Sequence, residues 1–105
     1  MSLPALLSPT AAADLEAAAG WIAEDNPAAA RALRMAIRQA AVRIGTFPKL
    51  GSLRPGVLRP GQRLLTLPPW PYLVIYREDS SRPRIPRILH GARDLPPLLR
   101  DATES

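Results

Sequence analysis

The chain holds 105 residues, 47% hydrophobic and 22% charged, with 13 prolines and a formal net charge of +5, a composition that fits one small domain spanning residues 1–105. It contains no cysteine and a single histidine, which excludes disulfide frameworks, cysteine nucleophiles and thiolate metal sites and leaves a metal centre without support. No apolar run approaches the roughly 18 residues of a membrane span, and the alanine-rich start is interrupted by Pro4, Pro9 and Asp14 and has no basic residue before Arg31; it does not read as a secretory leader, and a cytoplasmic protein is expected.

The first element in chain order is a short edge strand within Leu3 to Leu7, weakened by Pro4. Ser8-Pro9 then signals a helix start, because serine caps free amides and proline is tolerated at the first helical position. The helix runs to about Glu24, with Ala11, Leu15, Ala18 and Ile22 in one apolar stripe and Trp21 at its margin, where it reads as hairpin core. Asn26-Pro27 repeats the signal at once, so a second helix folds back antiparallel on the first. Ala30, Leu33, Ile37, Ala40 or Ala41, and Ile44 form its apolar stripe, and Arg31, Arg34 and Arg38 share another face. Gly45 is placed to supply a left-handed C-cap, and Pro48 prevents continuation. The helical hairpin thus occupies about 8–45.

Beyond Gly45 the texture changes: ten of the thirteen prolines lie there and the apolar residues fall in short runs. Residues 46–62 read as a basic Gly/Pro loop. Arg63 to Leu67, Tyr72 to Arg77 and Arg84 to His90 read as three strands of a meander over 63–90, joined by the stiff Pro68-Pro69-Trp70-Pro71 connection and the polar turn Glu78 to Pro83. Pro86 makes the last strand an edge or a bulged strand, since proline donates nothing to a ladder. Residues 91–105 form a tail. The fold class is α+β: an N-terminal helical hairpin packed on a small, mainly antiparallel sheet.

The charge is zoned. Met1 to Asn26 carries four acids and no base, Pro27 to Arg63 eight bases and no acid, and the remainder six arginines against five acids. A one-signed block of this kind marks a contact surface for something acidic, as against a merely solvated face. Seventeen alanines and five aromatic residues make a thin core, which suggests a partner covering apolar surface.

With this order of elements in place, SPTAAADL at Ser8 to Leu15, NPAAA at Asn26 to Ala30, FPKLG at Phe47 to Gly51, YLVIYR at Tyr72 to Arg77 and RILHGARDL at Arg87 to Leu95 together resemble the RelE/ParE superfamily of toxins from type II toxin-antitoxin modules, over roughly Leu3 to Leu99. The resemblance implies a cognate antitoxin, ParD-like or similar, wrapped over the helices and sheet. It also implies one of two activities: ribosome-dependent cleavage of mRNA in the RelE-like branch, or inhibition of DNA gyrase in the ParE-like branch. The ribonuclease branch places cations where this chain has Leu64, Thr66 and Leu73. YLVIYR followed by RILHGARDL looks ParE-like, and that branch is favoured, with no cofactor and no catalytic residue implied.

The alternative ribonuclease reading uses His90, Arg93, Arg77 and Arg63, with His90 as general base and the arginines around the phosphate. In the other reading His90 is a strand-end histidine hydrogen-bonded to a carbonyl or to a carboxylate such as Asp94. A third reading keeps the fold as an inactive antitoxin-binding relic. For antitoxin or target binding the candidates are Arg31, Arg34, Arg38, Lys49, Arg54, Arg59, Arg63 and Trp70, the last held between prolines in a loop where burial is difficult.

Overall fold

The computed structural model describes residues 2–78 and 81–94, so the expected tail beyond Asp94 and the middle of the Glu78 to Pro83 turn lie outside the described residues. Strand β1 (Leu6–Leu7) leads into helices α1 (Pro9–Ala23) and α2 (Pro27–Thr46), followed by strands β2 (Gln62–Thr66), β3 (Tyr72–Arg77) and β4 (Arg84–His90). Both predicted helix starts are realised. The Ser8 hydroxyl accepts from the Ala11 amide at 3.0 Å and the Asn26 side chain from the Ala29 amide at 3.0 Å, with proline opening each helix; caps of this kind contribute about 1 kcal/mol each.

The sheet has the order β1-β4-β3-β2. β2, β3 and β4 form the antiparallel meander, and β1 adds in parallel against Arg84 and Ile85. Pro86 therefore lies in an inner strand. The ladder accommodates it with a register shift: Ile75 pairs with Arg87 and Arg77 with Arg84, so two β4 residues, Ile85 and Pro86, oppose one on β3. Ser8 closes this region, its amide donating to the Ile85 carbonyl and its hydroxyl to that of Pro86.

Alternation along the strands divides the sheet into two faces. Val74, Tyr76, Ile85 and Ile88 join Leu33, Ile37, Ala40 and Ile44 of α2 and Ala11 and Ala18 of α1 in the main core, whereas Leu64, Ile75 and Leu89 form a second cluster with Leu73 and with Leu58 from the loop. The apolar stripe expected of α2 is the buried one.

Two expectations are corrected. Gly45 is not a left-handed C-cap: α2 continues through it to Thr46, and the positive-φ glycines are Gly56 and Gly61. Its role is close approach, since a Cβ at Gly45 would overlap the Leu3 carbonyl oxygen, and with the Ala5 amide donating to the Ala41 carbonyl the segment leading into β1 lies directly on α2. Trp21 is 74% exposed, not hairpin core. α1 buries Ala11, Ala18 and Ala19, and Trp21, about 60° around the helix from Ala18, stands beside the open recess between α1 and β4 instead of in packed core. Trp70 is the half-buried tryptophan, packed against the main core.

Candidate functional site

The loop after α2 is folded around one buried phenol. Tyr76, on the helix side of the central strand, donates its hydroxyl to the Pro48 carbonyl and accepts from the Gly51 amide, both at 2.7 Å; burial raises its pKa above the ordinary 10.0, against the lowering effect of the Gly51 hydrogen bond. Gly51 is required here, because a Cβ would stand 2.7 Å from the Tyr76 ring. Arg63 completes the clasp: its guanidinium donates to the Gly51 carbonyl at 2.8 Å and to that of Lys49 at 3.5 Å, and pairs with Glu78 at 3.3 Å. With its side chain only 14% exposed, Arg63 is spent on holding the loop and is no free cation. The FPKLG string is thus the piece of loop clamped by Tyr76, and it presents Phe47, Lys49 and Leu50 outward.

Outside that clasp lies the basic surface. Arg31, Arg38, Arg54 and Arg59 are exposed and, like Lys49, carry no side-chain ion pair with another described residue. Met35 and Val42 stand half-exposed among Arg38, Gln39 and Arg43 on the outer side of α2, and Phe47, Leu50 and Leu53 are exposed along the loop. Arg34 is the exception on its helix. It forks onto Glu16 of α1 at 3.1 and 3.2 Å, which lowers the glutamate pKa and raises that of the arginine, chiefly through the hydrogen bond.

The ribonuclease candidates are not brought together. His90 pairs with Tyr72 at one end of β3 while Arg77 and its neighbour Gln62 close the other, a separation of about 16 Å along the strand. Arg63, on the Arg77 side, is engaged as above, and Arg93 lies just beyond His90. Between these ends Leu64, Leu73, Ile75 and Leu89 form the second apolar cluster, and Arg87, in register with Ile75, is paired with Asp14.

His90 itself caps a helical turn. Its Nδ1 accepts from the Arg93 amide at 3.2 Å, its own amide donates to Asp94 at 2.7 Å, and its ring stands edge-on to Tyr72 at 5.4 Å. Burial tends to raise the Asp94 pKa, but the His90 amide and the Arg93 guanidinium outweigh it and hold the carboxyl below its ordinary value. On the neighbouring edge of β4, past the end of β1, Asp14 of α1 accepts from the Ile88 amide at 3.0 Å and from Arg87 at 2.8 Å, tying the helix to the strand. Asp14 and Tyr76 escape sequence reading as anchors; the one signal for Tyr76 is its alternation with Val74 in YLVIYR. Among the described residues no group of three or more histidines and acids is placed to hold a metal ion, and no helix is long and apolar enough to cross a membrane.

Comparison with known proteins bears on this geometry. Residues 5–95 match the family described as the ParE toxin of the type II toxin-antitoxin system parDE. Among solved structures, a chain of a chromosomal ParDE toxin-antitoxin system from P. aeruginosa is 27% identical, with a TM-score of 0.71 over 85% of this chain and 96% of that one. The search of curated proteins gives no match.

Proposed function

Because the chain belongs to the ParE toxin family of type II toxin-antitoxin systems, we propose that it acts by binding rather than by catalysis: it inhibits DNA gyrase and is neutralised by a cognate antitoxin. The observation that carries this reading is the dispersal of the residues that RNA cleavage would need. His90 and Arg93 stand at one end of the sheet and Arg63 and Arg77 at the other, with aliphatic side chains between. Removing a 2′-hydroxyl proton and stabilising the phosphorane require base and cations within hydrogen-bond reach of one phosphate, and these four residues are not placed together to supply them.

The basic and apolar surface supports the second half of the reading. Arg31, Arg38, Lys49, Arg54 and Arg59, interleaved with Met35, Val42, Phe47, Leu50 and Leu53, suit an acidic amphipathic segment, the apolar residues supplying area and the free cations direction. Arg34, Arg63 and Trp70 contribute less, being committed to Glu16, to the loop clasp and to the core. The test is induced expression with and without the product of a short reading frame adjacent to this chain's own, taken as the candidate antitoxin. Growth arrest relieved by co-expression is expected. A chain that never slows growth, or whose effect the neighbour leaves untouched, would refute the reading.

A further inference from the structure

Between α1 and the end of β4 the fold leaves a recess of about 430 Å³, lined in part by Asp14, Trp21, Arg87, His90, Arg93 and Asp94. Its hydrogen-bond inventory is one-sided. The Asp14 carboxylate already accepts from Arg87 Nε, Arg87 Nη2 and the Ile88 amide, and the Asp94 carboxylate from Arg93 Nε and the His90 amide. The donors are in surplus. Of the five N–H groups on each guanidinium, Arg87 commits two and Arg93 one. His90 Nδ1 accepts from the Arg93 amide, so the neutral imidazole carries its proton on Nε2, which has no partner among the described residues. Beside these donors Trp21 exposes 74% of its surface, and tryptophan and arginine together are the residues on which interface energy concentrates.

We propose that this recess is an anchor pocket for a carboxylate side chain of the antitoxin, flanked by an apolar residue that packs on Trp21. The inference rests on the reading of the chain as an antitoxin-neutralised toxin and adds a second contact, away from the basic face of α2. A carboxylate suits the site because it accepts from the free edges of both guanidinia while leaving their pairs with Asp14 and Asp94 in place. The apolar neighbour is called for by the indole, which stands largely exposed at the recess.

The test uses the whole chain and that candidate antitoxin, with Trp21→Ala and Arg93→Gln as variants. Both side chains are largely exposed, 74% for Trp21 and 71% for Arg93, so the fold is retained. Each variant is expected to bind the antitoxin at least about tenfold more weakly, and the antitoxin is expected to shift the ¹⁹F resonance of a 5-fluorotryptophan at position 21. If wild type binds the antitoxin while both variants stay within twofold of it, or the Trp21 resonance does not move on binding, the anchor pocket is refuted and the toxin reading stands. If wild type binds no antitoxin at all, both are refuted.

Discussion

Replacing Tyr76 with phenylalanine removes one oxygen and tests the link between core and loop. The phenol is fully buried, accepts from the Gly51 amide and donates to the Pro48 carbonyl at 2.7 Å each, so Tyr76→Phe leaves two backbone groups unpaired while hardly changing volume. Gly51 is buried and cannot recruit water readily, which places its amide near the top of the penalty of about 1–3 kcal/mol for an orphaned buried group. Pro48 is half-exposed, and water can replace part of what its carbonyl loses. The expected loss is about 2–3 kcal/mol, or about 8–20 °C in Tm for a domain of this size. Urea denaturation of wild type and variant, with hydrogen exchange at the Gly51 amide, measures both parts. A loss below about 0.5 kcal/mol, or an unchanged Gly51 exchange rate, would refute the clasp.

Three further outcomes follow from particular contacts. Gly45→Ala places a methyl on the Leu3 carbonyl oxygen and is expected to cost about 1–3 kcal/mol and to loosen the N-terminal segment, read as lost protection of the Ala5 amide; a neutral or stabilising effect would refute the close approach of that segment to α2. His90→Ala removes the cap on the Arg93 amide and is expected to cost about 0.5–2 kcal/mol while growth inhibition persists, whereas a folded, antitoxin-binding but inactive variant would move the chain to the ribonuclease branch. Asp94 has a lowered pKa in the fold, so its contribution is present above the unfolded carboxyl value of about 4 and is lost as pH falls through the folded value. Asp94→Asn is expected to narrow the stability gap between pH 7 and pH 3, and an unchanged gap in urea melts at the two pH values would contradict that.

The parts of the fold legible in the sequence are those with local causes. Ser8-Pro9 and Asn26-Pro27 carry their capping geometry within four residues, and Tyr72 to Arg77 shows its strand character by composition alone. What escapes is set at long range. Gly45 looks like a helix terminator until Leu3 and Pro4, ahead of β1, arrive against it. Arg63 looks like a loop cation until Gly51 and Glu78, 12 and 15 residues away in sequence, take up its guanidinium. Trp21 lies on the flank of α1 that faces β4, but the space there is an open recess, while Trp70 is drawn partly into the core; both outcomes depend on how α1 and the Pro68 to Pro71 connection meet the sheet, which no local pattern shows. The candidate site divides in the same way: the excess of positive charge between Pro27 and Arg63 is visible in the sequence, but which of those cations are free is not.

Action by binding rather than by catalysis is tested most directly with purified wild-type chain in two parallel assays, negative supercoiling of relaxed plasmid by DNA gyrase and cleavage of mRNA on translating ribosomes. Inhibited supercoiling, restored by the antitoxin, with intact mRNA is the predicted result. Cleaved mRNA with unaffected supercoiling would contradict the account.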